Sequence, residues 1–123
     1  MKITCLKTHL KEAINLTEKV SGKNLTLPIL SNILISCEDK KVRFTATNLE
    51  IGIEVEIPAK IDKKGKLAVP AGIISGFISN IGNEEKITLE TISESNLLIA
   101  TQHSSTIIKG QPTEDFPSLP KPE

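Results

Sequence analysis

The sequence predicts an α+β domain made of two βαβββ units related by a pseudo-two-fold axis, with two helices on one side and antiparallel sheets on the other. Three observations carry this. Two segments, about 8–21 and 70–81, place apolar residues at helical spacing. Most of the remaining chain alternates apolar and polar residues with period two, as strands with one wet face do. The order strand, helix, three strands occurs twice, although the residue identities do not visibly repeat.

The elements follow in order. In KITCL, residues 2–6, Ile3 and Cys5 point one way and Lys2 and Thr4 the other. Thr8 is suited to N-cap the first helix and Gly22 to end it. Leu10, Ala13, Ile14, Thr17 and Val20 share its buried face; Lys11, Glu12, Asn15, Glu18 and Lys19 share the opposite one. After TLPILS, residues 32–37 read as a strand with apolar side chains on both faces, and Glu38-Asp39-Lys40 as a turn. Residues 41–47 point Val42, Phe44 and Ala46 inward and Arg43 and Thr45 outward. In EIGIEVEI, residues 50–57, Ile51, Ile53, Val55 and Ile57 face a core and the glutamates face out. Pro58 ends that strand, and KIDKKGK is expected as a Lys-rich loop. Residues 67–69 form a short strand, and Pro70 opens the second helix, where proline is tolerated. Its apolar stripe is Ile73, Ile74, Phe77, Ile78 and Ile81, and Gly82-Asn83 ends it. Strands at about 86–91, 96–101 and 105–109 close the domain, which is expected to occupy 1–112. The tail 113–123, rich in proline, is expected to be an extended linker toward a further domain.

Composition excludes several functions. Lys plus Arg is 15 and Asp plus Glu is 15, so the chain is not a strongly basic nucleic-acid module. With three Phe, no Tyr and no Trp, stacking of single-stranded bases on aromatic side chains is not expected. Cys5 and Cys37 fit no metal spacing and are expected as reduced thiols, with a disulfide between neighbouring strands as the alternative. The N-terminus has no signal-peptide core and no run approaches the ~18 apolar residues of a membrane span, so a soluble cytoplasmic protein is expected. No Ser-His-acid motif and no glycine-rich phosphate loop is present; His9 and His103 stand alone, and Glu50, Glu54 and Glu56 read as a solvated face. No catalytic residue, metal site or cofactor is expected.

Taken together, the start MKI, the helix end VSGKN, the segment TLPILSNILI, the corner FTATNLEIGIE, the strand-to-helix turn VPAGII and the tail EDFPSLP resemble, in order and spacing, the N-terminal domain of the bacterial DNA polymerase III beta subunit. The resemblance covers nearly the whole chain. It implies the DNA-clamp (processivity) fold, and a longer chain of three similar domains, two copies of which close head-to-tail into a ring around duplex DNA. It implies partners: duplex DNA in the hole, a second clamp chain, DNA polymerase III and the clamp loader, with no membrane and no catalysis. The helices would line the hole, so Lys11, Lys19, Lys23, Asn24 and Gly72 would face DNA. The sequence departs from the family here. Asn24 stands where a basic residue touches the DNA backbone, with Lys23 beside it, and Gly72 stands where some members carry a basic residue. The ring contact implied is roughly Ile73, Ile74, Thr106 and Ile108, although Ile73 and Ile108 also read as plain core. The partner-peptide cleft of the family lies in later domains. The rival reading is a protein-interaction module of the same architecture without a DNA role, favoured by the neutral charge and by Asn24 and Gly72. Charge placement separates the two: the clamp reading expects lysines on the helix side and acidic strands opposite.

Overall fold

A computed structural model describes residues 1–21, 28–48, 50–82, 85–93 and 95–117. The strands are β1 (Lys2–Leu6), β2 (Asn32–Glu38), β3 (Lys41–Thr47), β4 (Gly52–Pro58), β5 (Lys60–Lys63), β6 (Gly65–Pro70), β7 (Lys86–Ile92), β8 (Asn96–Ala100) and β9 (Ser105–Lys109). The helices are α1 (Lys7–Ser21) and α2 (Ala71–Ser79). Two antiparallel sheets form, in the orders β5-β1-β7-β8-β9 and β4-β3-β2-β6.

The predicted duplication is present, and its halves are exchanged. β1 pairs with β7, the strand after α2, while β6 pairs with β2, the strand after α1. Each half therefore lends its first strand to the other half's sheet. The exits match too. After β4, Ala59 donates its N–H to the Lys40 carbonyl at 3.0 Å; after β9, Gly110 donates to the Ser95 carbonyl at 2.8 Å. Each carbonyl lies in the first hairpin turn of its half. The chain then joins the first strand of the same half: β5 pairs with β1, and Gln111 bridges Ala68 of β6.

The core lies between the helices and the inner sheet faces. Leu10, Ala13, Ile14 and Thr17 recur at three- and four-residue spacing on α1 and are buried. The Thr17 hydroxyl donates to the Ala13 carbonyl at 2.8 Å, so its burial leaves no unpaired group. Ile33, Ile35, Phe44, Leu89 and Ile99 are fully buried beneath the helices. Each aliphatic side chain contributes about 1.5–3 kcal/mol of transfer free energy. Cys5 on β1 and Cys37 on β2 are free, buried and in different sheets. Burial pushes the Cys5 thiol up to about 12. The Cys37 thiol is also raised, by burial first, against the lowering effect of its hydrogen bond with the Gly65 backbone.

Several elements differ from the sequence reading. Thr8 does not cap α1, because the helix starts at Lys7 directly after β1. The Lys7 N–H is satisfied by the Glu85 carbonyl at 2.9 Å, which removes the need for a side-chain cap there. Gly22 lies outside the described residues. The KIDKKGK segment contains β5, with Ile61 opposite Ile3. Its charges hide the strand because it is a sheet edge, where charged side chains meet water. Pro70 is the N-cap of α2 and the last residue of β6, rather than a residue inside the helix. The helix ends at Asn80, whose side-chain amide donates to the Gly76 carbonyl at 2.8 Å, rather than at Gly82; Asn83 is outside the described residues. β4 is the edge of its sheet, so Ile53 and Val55 are only half-buried, and Ile51, before the strand, is 59% exposed. Thr45 is buried although it points to the outer face. The segment expected as linker lies over that face: Thr113–Asp115 form a 3-10 turn and Phe116 is buried. Phe116 and Thr45 share the walls of one depression with Leu34 and Glu54.

Candidate nucleic-acid interface and its margins

The helix side is built around one interhelical contact. The Ser75 hydroxyl on α2 donates to a Glu18 carboxylate oxygen on α1 at 3.0 Å. Lys7, the first residue of α1, extends its ammonium to the segment that follows α2, with 2.9 Å to Ile81 O and a further bond to Gly82 O. This charge-assisted contact ties the start of α1 to the exit of α2. Sequence reading missed Lys7; its signal is a lysine at a strand–helix junction with no acidic partner nearby in sequence.

Lys11 and Lys19 are exposed on α1, about 100° or more around the helix from the buried stripe. Glu12 and Asn15 accompany them, so that face is mixed and only weakly basic. Gly72 is exposed on α2, with open space where a side chain would sit. Gly76 and Ser79 continue that face, which carries no charge. Lys23 and Asn24 lie outside the described residues.

The opposite surface is the outer face of the four-stranded sheet. Glu54 and Glu56 are exposed there, across β4 from Ile53, Val55 and Ile57. Arg43 sits between them, 3.4 Å from a carboxylate oxygen of each. Lys66 points to the same face beside Ser36. The outer face is therefore less acidic than expected. Glu50 is exposed beyond the strand, in a corner where the Asn48 side chain accepts the N–H groups of Glu50 and Ile51 at 2.9 Å each.

Of the expected ring residues, Ile74 and Ile108 are core, at 0% and 4% exposure, because they point between helix and sheet. Ile73 points away and is 58% exposed, and Thr106 is half-buried on the edge strand β9. Ile107, 59% exposed on the same strand, was missed. Period-two alternation with Ile108 inward forces it to the outer face, opposite Leu98. Among the described residues, β9 has no strand on its far side. An unpaired edge strand with an exposed Ile107 is a surface that another chain or domain would cover.

Among the described residues no cluster of three or more His, Cys, Asp or Glu is placed to hold a metal. No helix among them is long and apolar enough to cross a membrane.

Residues 1–120 match the family described as DNA polymerase III beta subunit, N-terminal domain. The chain belongs to that family. Curated relatives agree: the beta sliding clamp of Caulobacter vibrioides is 30% identical over 120 residues, covering 97% of this chain and 32% of its own. That of Synechocystis is 28% identical over 131 residues, covering 100% of this chain and 33% of its own. The chain thus spans about a third of the length of these relatives. Among solved structures, a Caulobacter crescentus pol III beta superposes with TM-score 0.90 at 30% identity, over 98% of this chain and 32% of that one. A putative DNA polymerase III beta subunit from Eubacterium rectale gives TM-score 0.93 at 28% identity, over 100% of this chain and 33% of that one. The two-helix, two-sheet arrangement is that of a sliding-clamp domain, so the fold and the membership of a DNA-replication family read from the sequence both stand.

Proposed function

We propose that this chain acts as the first domain of a replicative sliding clamp, a non-catalytic ring that encloses duplex DNA and tethers DNA polymerase III. Two copies of the longer chain close head-to-tail, and the clamp loader opens and places them. The protein works in the cytoplasm. The observation that carries the reading is the fit of the whole domain to solved DNA polymerase III beta structures, at TM-scores of 0.90 and 0.93; Lys11 and Lys19 lie on the helix side and Glu54 and Glu56 on the far face of the sheet, although both faces carry charges of either sign. A weakly cationic helix face suits a clamp, because each neutralised phosphate adds affinity and would slow sliding. The uncharged face of Gly72, Gly76 and Ser79 adds no ion pair to that contact. The ring contact falls on Ile73, Thr106 and Ile107 around the free edge of β9, with Ile74 and Ile108 supporting it from the core.

The test uses protein from the complete reading frame in a primer-extension assay with DNA polymerase III and the clamp loader. Wild-type protein should give products many-fold longer than polymerase alone. The double variant Ile73→Asp, Ile107→Asp should return product length to the polymerase-alone level and convert a dimer to a monomer in sedimentation. Long products from a monomeric variant would overturn the assignment of these residues.

A further inference from the structure

The second half of the duplication closes its crossing between sheets tightly. At Gly110, an added methyl would lie 2.6 Å from the Ala68 carbonyl oxygen and 2.7 Å from that of Ser95. The equivalent crossing in the first half, at Pro58 and Ala59, opens instead into a groove of about 490 Å³. Its floor is Cys5, Leu6, Pro58 and Ala59, and Leu6 is left 37% exposed by it. Three cations, Lys40, Lys60 and Lys86, stand around it, one from each of three different segments. His9 lines the same groove, and its Nδ1 is buried with no hydrogen-bond partner.

We propose that this groove is a docking site for an acidic peptide segment of a partner protein, carrying one aliphatic anchor side chain. The anchor covers Leu6 and Ala59, and its flanking carboxylates meet the lysines. The Cys5 thiol, held neutral by burial, adds no charge to the floor. Asp39 and Asp62 lie in the neighbouring depression, where Lys63 and Lys64 offset them. A nucleic-acid strand fits less well: its phosphates would find the lysines, but the apolar floor offers no aromatic ring for its bases. The site lies apart from the β9 margin and does not depend on ring closure.

The probe is a fluorescein-labelled peptide, Glu-Glu-Leu-Glu-Glu, titrated with the 123-residue chain in anisotropy, with amide shifts mapped by NMR. Saturable binding below ~1 mM at low salt is expected, weakening several-fold as salt rises from ~50 to ~500 mM. Shifts should centre on residues 4–9 and 58–60. The triple variant Lys40→Glu, Lys60→Glu, Lys86→Glu, checked for fold by circular dichroism, should bind at least ~10-fold more weakly, and so should wild-type protein toward a peptide with Gly in place of Leu. No binding at ~1 mM overturns the proposal. So does equal binding by the triple variant, displacement of the peptide by an equimolar single-stranded oligonucleotide, or self-association of the chain through the same residues.

Discussion

Alanine at position 110 should destabilise the domain, while the same substitution at position 76 should stabilise it. Gly110 carries the chain from β9 to the bridge with β6, and its neighbours are two backbone oxygens already in use. Ser95 O accepts the Gly110 N–H at 2.8 Å, and Ala68 O accepts the Gln111 N–H at 2.8 Å. A new Cβ at 2.6 and 2.7 Å from those oxygens must retreat by roughly 0.7 Å to reach an ordinary carbon–oxygen separation of about 3.3–3.6 Å. The Leu67 methyl at 3.1 Å blocks part of the retreat. The crossing then gives up the Ser95 bond and at least one bond to Ala68, each worth about 1 kcal/mol. Against this stands a gain of about 0.4–1 kcal/mol from restricting the unfolded chain. The net loss is about 1–2 kcal/mol. At Gly76, on the exposed face of α2, a methyl meets nothing within 4 Å, so alanine should gain about 1 kcal/mol of helix propensity. With no Trp or Tyr in the chain, urea unfolding is best followed by far-ultraviolet circular dichroism. A neutral or stabilising Gly110→Ala would refute the account of the crossing, and a destabilising Gly76→Ala would show that α2 packs against something on that face.

Three further substitutions probe other parts of the account. Phe116→Ala should cost about 2–3 kcal/mol in the same unfolding experiment, since its ring is buried on the outer sheet face; an unchanged midpoint would mean that the tail contributes nothing to the fold. Asp39 and Lys40 hold positive φ of 54° and 68°, the turn geometry that glycine and asparagine favour, so Lys40→Gly should raise stability by about 0.5–1 kcal/mol, read as a higher urea midpoint. Cys5 is neutral in the folded state until about pH 12 but ionises near 9 when unfolded. Its contribution is therefore complete below pH 9 and is lost as pH rises from there. Relative to Cys5→Val, wild-type protein should lose about 2 kcal/mol between pH 8 and 10.5, and parallel pH profiles would contradict that.

The order of elements, the duplication and the core faces were legible because period-two and helical spacing are local signals. Ile33, Ile35, Val42, Phe44 and Ile74 fall where alternation puts them. Features that depend on partners distant in sequence were not legible. Lys7 holds the segment after α2, more than seventy residues away, and the Glu85 carbonyl replaces the cap expected of Thr8. β5 was invisible because an edge strand with a single apolar residue, Ile61, among lysines and an aspartate reads as loop. Ile51 followed the alternation faithfully and is still exposed, because it lies before β4, in the corner held by the Asn48 side chain. The same limit applies to the site. Exposure of Lys11 and Lys19 followed from the helix wheel. The choice of Ile107 over Ile108 as a surface residue required knowing which face of β9 is covered.

Retention on DNA separates a closed ring from a surface contact. Protein from the complete reading frame, labelled and placed by its clamp loader on nicked circular DNA, should remain bound through gel filtration and leave within seconds to minutes once the circle is cut to a linear duplex. Equal rates of release from circular and linear DNA would contradict a ring held by topology and favour a surface contact instead.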